Sequence, residues 1–448
     1  MKKITIIGAG LAGSLLSIYL AKRGFEVEIY EQRPDLRVTN ISAGRSINLA
    51  LSLRGILPLQ EVGLSEHMLQ IAIPMYGRMM HDLEGNLSFQ PYGKSKDYYI
   101  NSVSRKTLNC SLMNYAEATG KVKIYFMHRC TNLDLDNQIV TIKDEQNGTE
   151  FQVQCEIIIG TDGAPSAVRN ALIKLPRFSY SQEYLDYGYK ELNLYPNAQG
   201  EFQLEKNALH IWPRGNFMLI ALANIDKTFT CTLFHPYEST ENLKGLEDLN
   251  QATEIEKFFN QYFKDIVPLM PDFVEQFQEH PTGHLATIRC HPWHYKNTCI
   301  LGDASHAVVP FFGQGMNCSF EDCAELNRCI DLYPNDWNQI FKEFEKRRIE
   351  NANAIADLAL ENFIEMREKV ADPKFLFRKK VDIELEKRFE GRYITKYGMV
   401  TFHTMPYAQA KRLGQIQDII LDELCRNAQT LEDIRWDLAE SLIEEYLG

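Results

Sequence analysis

The run Gly8-Ala9-Gly10-Leu11-Ala12-Gly13 sets three glycines between an apolar β-branched stretch and a helical pattern. Binding chemistry can be built there without a reactive side chain. Gly8 permits a tight turn, Gly10 lets the backbone approach a pyrophosphate, and Gly13 lets the helix sit close to the strand. The helix N-terminus then offers unpaired N–H groups to the phosphates. Alone the spacing is weak. The acidic residue expected about 20 positions later is also present, because Glu31 ends a second strand pattern, placed for the ribose hydroxyls of adenosine. Together they predict dinucleotide binding.

Two further runs could do related work. Ile157-Ile158-Ile159-Gly160-Thr161-Asp162-Gly163 leads a strand into an Asp-Gly turn, followed by Ser166 and Arg169. By itself this also fits an ordinary strand-turn-helix. Cys299-Ile300-Leu301-Gly302-Asp303-Ala304-Ser305-His306 is followed by Pro310-Phe311-Phe312-Gly313-Gln314-Gly315-Met316-Asn317. Here a strand delivers Asp303, whose carboxylate can accept from sugar or ribityl hydroxyls. The glycine-rich turn then opens a helix whose positive end can face an electron-rich ring edge. That placement would stabilise negative charge at the N1–C2=O edge of a reduced flavin.

The elements that must position these residues follow from periodicity. Residues 2–7 read as a buried parallel strand, 8–24 as a glycine turn opening an amphipathic helix, and 25–30 as a second strand, the first βαβ half of a doubly wound sheet. Residues 104–119 have helical spacing, and strand patterns follow at 122–126, 138–143 and 151–159. From Leu209 to Phe234 the pattern is an antiparallel meander broken at Pro213–Asn216 and Asn224–Asp226. After Thr298 the parallel pattern returns, and from Asp336 onward the chain reads as helical, with breaks at Pro373 and Pro406. The expected class is α/β: a Rossmann-type FAD-binding domain interleaved with an antiparallel-sheet substrate domain, plus a helical C-terminal region. Its expected division is 1–70 with 98–170 and 285–335 for FAD, 71–97 with 171–284 for the substrate-covering sheet, and 336–448 for the helices.

Composition narrows the partners. A net charge of −12 over 448 residues, with only short basic pairs such as Arg347-Arg348, argues against a nucleic-acid surface. Ten cysteines without a C-x-x-C read as free thiols of a reducing compartment. Cys290, His291, His294 and Cys299 are close in sequence, but their spacing matches no common zinc module, and no metal is expected. The longest apolar run, Phe217–Ile225, falls far short of the roughly 18–20 residues of a membrane span. A soluble cytoplasmic protein is expected.

The three motifs in this order resemble the single-component flavoprotein aromatic hydroxylases, the class of p-hydroxybenzoate hydroxylase. A second G-x-G-x-x-G and a redox C-x-x-C are missing, which argues against a glutathione-reductase type of pyridine-nucleotide domain. A closer resemblance, over nearly the whole chain, is to the kynurenine 3-monooxygenases. It is carried by Gly44–Leu51 (GRSINLAL), Tyr76–His81 (YGRMMH), Gln90–Gly93 (QPYG), Gly188–Leu192 (GYKEL), Asn207–Pro213 (NALHIWP) and His280–Gly283 (HPTG). Leu360–Met366 (LENFIEM) and Tyr397–Phe402 (YGMVTF) complete it.

The resemblance implies that Arg78 and Tyr92 hold a substrate carboxylate. Asn362 and Tyr397 complete that site, with Glu365, Met366 and Phe312 lining it. Cofactor contacts are implied along the first turn at Gly8, Gly10, Leu11, Ala12 and Gly13, with Glu31 and Arg33 beyond it. Others are implied at Ala50, Arg105, Cys130 and Asp162, and at Asp303, Gly315, Met316 and Asn317 around the flavin. The implied reaction uses non-covalent FAD with NADPH as co-substrate. Dioxygen adds at flavin C4a, and the hydroperoxide delivers OH to the ring carbon of L-kynurenine ortho to its anilino group. The product is 3-hydroxy-L-kynurenine, in tryptophan catabolism toward quinolinate and NAD. The cofactor carries the chemistry, so no catalytic side chain is expected.

Each assignment has a plainer counterpart. Arg78 could be a surface arginine, although a guanidinium fits a carboxylate in bidentate fashion. Tyr92 could pack a turn and Tyr397 a core. Asn362, Glu365 and Met366 share a helix face by spacing, which also suits a helix–helix contact. Two departures stand out: eukaryotic members end in a hydrophobic anchor that this chain does not show, and some bacterial relatives carry His where Phe312 stands. Another FAD-dependent hydroxylase, or a flavin redox protein on the same fold, is the alternative reading.

Overall fold

The computed structural model describes residues 3–39, 48–366 and 372–447, so Gly44–Ile47 of the GRSINLAL run lie outside the described residues. The strand Lys3–Ile7 is buried beyond its first residue and pairs in parallel with Glu26–Glu31 on one side and Ile157–Gly160 on the other. Thr298–Ile300 and Val122–Phe126 extend this to five parallel strands, and His294–Tyr295 adds an antiparallel edge. Burial on both faces explains the isoleucine runs, because neither side of such a strand meets water.

The helix Leu11–Lys22 departs from the amphipathic expectation: ten of its twelve residues are buried. The helices Arg105–Ala118 and Gly315–Leu332 pack against it, so it has no wet face. Its serines satisfy themselves locally, Ser17 Oγ donating to the Ser14 carbonyl at 2.7 Å.

The strand pattern at 151–159 is two strands, not one. Glu150–Gln154 joins Ile139–Asp144 and His128–Asp134 in a small antiparallel sheet, whereas Ile157–Gly160 belongs to the parallel sheet. Cys155 and Glu156 turn the chain between them, a change of partner that local β-propensity does not encode.

The meander forms as expected from Leu209–Pro213, Met218–Ala223 and Phe229–Pro236. It is the middle of a seven-stranded sheet that also takes in Gly283–His291, the long strand Ser179–Leu194, and the hairpin Gly77–His81/Leu87–Pro91. Every pairing in that sheet is antiparallel except one: Gly77–His81 runs parallel to Leu209–Pro213. The C-terminal helices include Trp337–Ile364, Pro373–Arg388 and Tyr407–Cys425. Pro373 opens the second of these in its first turn, where a missing N–H costs nothing. Among the described residues no helix is long and apolar enough to cross a membrane.

Candidate active site

The first glycine turn carries its functions in geometry. Gly8 has φ +100°, and a Cβ there would stand 2.7 Å from the Thr161 carbonyl oxygen. A Cβ on Gly13 would lie 2.1 Å from the Gly8 carbonyl oxygen, so this glycine sets the close packing of helix on strand. Gly10 is different: a Cβ there would meet nothing within 4 Å, and the helix that begins after it has no side-chain cap. Open space thus faces a helix N-terminus with unpaired donors, the arrangement a pyrophosphate needs.

Glu31 is buried and ties the turn together, accepting from the Ala9 N–H at 2.8 Å and from Arg33 N and Nε at 2.9 and 2.8 Å. The second motif is locked to the first by Thr161, whose hydroxyl donates to the Gly8 carbonyl at 2.8 Å. The Asp162 carboxylate is engaged inward, accepting from Ser166 Oγ at 2.6 Å and from the N–H groups of Ala167 and Val168. It therefore caps the helix Ala167–Leu172. Burial pushes the Asp162 carboxyl up, and the neighbouring Cys130 thiol is pushed up to about 12 by burial, Asp162 adding to it. Cys130 is a neutral thiol.

The third motif meets the first at Gly302, where a Cβ would lie 3.4 Å from that of Ala12. Gly302 has φ +62° and presents Asp303 at the start of a short helix. The half-buried Asp303 carboxylate makes no hydrogen bond with any described residue, leaving a free acceptor. Asn317 fastens the flavin turn to the Ala50 strand: its Oδ1 accepts from Ser52 N, and its Nδ2 donates to the carbonyls of Ala50 at 2.9 Å and Gly313 at 2.8 Å. The helix Gly315–Leu332, with Met316 buried in its first turn, also starts without a side-chain cap. Exposed Arg105 opens the helix Arg105–Ala118, close enough to favour ionisation of the Tyr189 phenol, which burial opposes. Two uncapped helix starts, a buried acid at the end of the second strand and the Asp303 carboxylate offer donors and acceptors of the kinds that the phosphates and hydroxyls of FAD require.

Beyond the turn at Gly313 lies a cluster of aromatic residues around Arg78. Arg78 sits on the strand Gly77–His81 at the register Leu209↔Arg78. Its guanidinium carbon stands 5.1 Å from the Tyr397 ring centroid and 6.0 Å from that of Tyr92. Arg78 Nε and the Tyr92 hydroxyl are both buried without a hydrogen-bond partner. Burial raises the Tyr92 pKa well above the ordinary phenol value, with Arg78 pulling the other way. Burial also works against the Arg78 charge, but Tyr397, Tyr92 and Glu365 more than offset it. A half-buried cation beside a buried neutral phenol, both with donors unpaired among the described residues, has the chemistry to receive an anionic oxygen.

Tyr397 is stacked between Tyr92, at 5.6 Å between centroids, and Phe312, at 5.4 Å. Phe312 immediately precedes the Gly313 turn, so an unbroken aromatic path joins the flavin end to Arg78. Asn362 donates Nδ2 to the Phe311 carbonyl at 2.7 Å and approaches Met366 Sδ at 3.4 Å. Glu365 pairs with Lys379 at 3.1 Å. Burial works to raise its pKa, but Lys379 and Arg78 outweigh it and hold the carboxyl below its usual range. Arg78, Tyr92, Tyr397 and Phe312 are thus in direct contact, and Asn362, Glu365 and Met366 reach them through Phe311 and through charge. Phe402 and Tyr98 extend this cluster, aromatic residues not singled out from the sequence, although Phe402 closes the YGMVTF run.

Other residues with metal-ligand chemistry are engaged elsewhere. His291 and His294 each meet a Glu345 carboxylate oxygen at 2.6 Å, and the Cys290 and Cys299 thiols approach backbone carbonyls. His306, Cys318 and Asp322 do bring ligand atoms together. The buried Arg348 guanidinium already lies among them, donating to Asp322 Oδ1 at 2.7 Å and approaching Cys318 Sγ at 3.2 Å. Asp322 Oδ2 in turn accepts from the Gly302 N–H at 3.1 Å and contacts His306 Nε2 at 2.6 Å, so this hub holds the turn that presents Asp303. A cavity of about 360 Å³, beside Arg54 and Arg328, is lined by none of the predicted site residues. Arg54 is nonetheless relevant: it lies 4.0 Å from the Tyr407 ring centroid, and the Tyr407 hydroxyl donates to Gln314 next to the flavin turn.

Comparison with known proteins agrees with this geometry. The family described as FAD binding domain matches residues 1–358. A kynurenine 3-monooxygenase of Myxococcus xanthus is 47% identical over 445 residues, covering 99% of this chain and 95% of its own length. One of Dictyostelium discoideum is 44% identical, covering 100% and 98%. Among solved structures, a tetrameric form of 2-methyl-3-hydroxypyridine-5-carboxylic acid oxygenase superposes with a TM-score of 0.65 at 18% identity, over 84% of this chain and 95% of that one.

Proposed function

Because the chain belongs to the kynurenine 3-monooxygenase family of FAD-dependent hydroxylases, we propose that its aromatic cluster grips L-kynurenine by the carboxylate and turns the anilino ring toward the flavin. The activity is hydroxylation of L-kynurenine to 3-hydroxy-L-kynurenine with NADPH and dioxygen. FAD, when bound, supplies the oxygen activation; this chain's residues bind, orient and exclude water.

The N–H groups after Gly10 hold the pyrophosphate, Glu31 receives the adenosine ribose, and Asp303 accepts from the ribityl hydroxyls. The start of the helix Gly315–Leu332 faces the flavin ring edge, where its dipole favours negative charge. At the other end, Arg78 and Tyr92 donate to the substrate carboxylate. Glu365, ionised beside Lys379, is placed for the substrate ammonium. Phe312 and Tyr397 offer their faces to the aromatic ring, and Asn362 fixes the Phe311 backbone beneath it. The anilino nitrogen enriches the ring carbon ortho to it, so orientation decides the product. Apolar walls keep water from the reacting atoms.

The observation that carries this reading is the adjacent pair of unpaired buried donors, Arg78 Nε and the Tyr92 hydroxyl. The division into FAD-binding segments 1–70, 98–170 and 285–335, a substrate-covering sheet from 71–97 and 171–284, and helices from 336 onward is part of the same proposal, except that the strand Gly283–His291 belongs whole to the seven-stranded sheet and moves the 284/285 boundary to after His291. A cytoplasmic setting is supported by ten free cysteines, most of them buried. The test is NADPH oxidation with and without L-kynurenine, the product being identified by mass. Stimulated turnover yielding a mass gain of one oxygen is expected; no hydroxylated product under any condition would overturn the reading.

A further inference from the structure

Two histidines lie within the YGRMMH and NALHIWP runs, on the sheet face opposite the aromatic cluster. Met80 and Ile211 point into the cluster that holds Phe311 and Phe312, while their strand neighbours His81 and His210 alternate to the other side. There they form a chain of short contacts. His81 Nδ1 is 2.7 Å from Asp265 Oδ2, His81 Nε2 is 2.8 Å from His210 Nδ1, and His210 Nε2 is 2.8 Å from the Glu205 carbonyl oxygen. Both imidazoles are buried.

Counting hydrogens settles the charge. A carbonyl only accepts, so His210 Nε2 carries a hydrogen. The Asp265 carboxylate accepts from Trp212 Nε1 as well, and so His81 Nδ1 carries another. A third hydrogen must lie between His81 Nε2 and His210 Nδ1. Two neutral rings supply only two, so the pair bears one positive charge. We propose that His81 and His210 share this one extra proton as a cross-strand clamp, and that they are positioning residues for Arg78.

The position of the clamp gives it leverage. The hairpin bearing Arg78 joins the seven-stranded sheet through its one parallel pairing, Leu209↔Arg78, His210↔Met79 and Ile211↔Met80. The histidines bridge that junction. The Asp265 carboxylate, 2.7 Å from His81 Nδ1, places the charge on His81, and burial, only partly countered by the Glu205 carbonyl, pushes His210 down to about 4. Asp265 is held below its usual range by its bonds to His81 and Trp212, against the effect of burial. The other groups facing the pair are Trp212, stacked on His81 at 3.8 Å, and Phe229, edge-on to His210. Arg214 donates to the carbonyls of His81 and Asp82, with the Asp82 and Glu84 carboxylates beyond it. The clamp is complete only with the third hydrogen in place.

The inference rests on the reading of Arg78 as the carboxylate receptor, and the test separates the two. Nitrogen-15 spectra of the histidine rings in the FAD-loaded enzyme, near pH 6, should show His81 protonated on both nitrogens and His210 neutral. Signals are assigned by their loss in His81→Asn and His210→Asn. Two neutral rings, or two charged ones, would overturn the shared proton without touching the role of Arg78. In steady state, His81→Asn should raise KM for L-kynurenine about tenfold, more than it lowers kcat, with FAD content retained. KM for the decarboxylated amine should barely move. If Arg78→Ala raises KM and His81→Asn does not, the clamp is wrong. If Arg78→Ala leaves KM unchanged while the spectra show three hydrogens, the carboxylate reading is wrong and the clamp stands as a structural pair only.

Discussion

Phe312 and Tyr397 stack with planes 17° apart, one coming from the glycine turn at Gly313 and the other from the helical C-terminal region. This contact makes one wall of two distant segments and continues through Tyr397 to Arg78. The wall is aromatic toward Gly313 and cationic at its far end, which is the polarity of an aryl-substituted amino acid. Its consequences can be measured.

Gly10 and Gly13 should fail in different ways. Gly10→Val should fold with an unchanged melting profile yet lose most of its FAD, because its side chain enters the open space in front of the helix. Gly13→Val should lose folded protein, since its Cβ would overlap the Gly8 carbonyl. Flavin absorbance per mole of soluble protein reads both. A folded Gly10→Val that retains full flavin would remove the pyrophosphate assignment.

Arg78→Ala should weaken L-kynurenine binding by about 10- to 100-fold, the range expected for roughly 1.5–3 kcal/mol of charge-assisted hydrogen bonding. Tyr92→Phe should cost less, because it removes a neutral donor. FAD content should be unchanged in both. The decarboxylated amine should bind wild type poorly and be nearly indifferent to Arg78→Ala; equal losses for both ligands would show that Arg78 acts through structure alone.

Phe312→Ala should uncouple the reaction. Removing one face of the stack admits water beside the flavin turn, so hydrogen peroxide should approach the NADPH consumed while 3-hydroxy-L-kynurenine falls. Kynurenine analogues with an electron-poor or blocked ring should do the same in wild type, since they fill the site and accept no oxygen. Peroxide and product assays on one sample decide it, and tight coupling in Phe312→Ala would refute the wall as a water barrier.

Asp322 should govern acid stability. Its burial alone would raise its pKa, but His306 and Arg348 pull it down to about 2. An unfolded aspartate titrates near 3.9, so the stabilisation is present above about pH 4 and is lost as pH falls toward 2. Asp322→Asn leaves the buried Arg348 guanidinium with only the longer contact to Glu321 at 3.4 Å as a charge partner and should cost up to about 3–5 kcal/mol at neutral pH. The gap in melting temperature between wild type and variant should be wide at pH 7 and narrow as pH falls toward 2; a neutral-pH melt unchanged by Asp322→Asn would dismiss the hub as incidental.

The parts of this molecule written in local spacing were legible before any fold was known. Gly8, Gly10 and Gly13 declare a strand-turn-helix by their intervals, and the breaks at Pro213–Asn216 and Asn224–Asp226 declare a meander. The substrate residues were found by resemblance, because no interval links Arg78 to Tyr397. What stayed hidden depends on long-range pairing. Asp322 looks like any helix-surface acid until Gly302, His306 and Arg348 close around it. Arg54 gives no sign that it will lie against Tyr407, and the strand Ser179–Leu194 carries too many polar residues to announce itself. The helix Leu11–Lys22 reads as two-sided in sequence because the two helices that cover it lie far along the chain.

The single parallel pairing in the seven-stranded sheet also bears on the order of assembly. Antiparallel hairpins such as Gly77–His81/Leu87–Pro91 close over a few residues, whereas this pairing must wait for Leu209–Pro213 to emerge. Closing so long a loop costs entropy that only a completed meander can repay. Arg78 therefore reaches its place late in synthesis, and the flavin turn, near residue 313, later still. A ribosome-bound fragment ending before the meander would hold the first glycine turn and the Arg78 hairpin, yet neither half of the site would have the other to face.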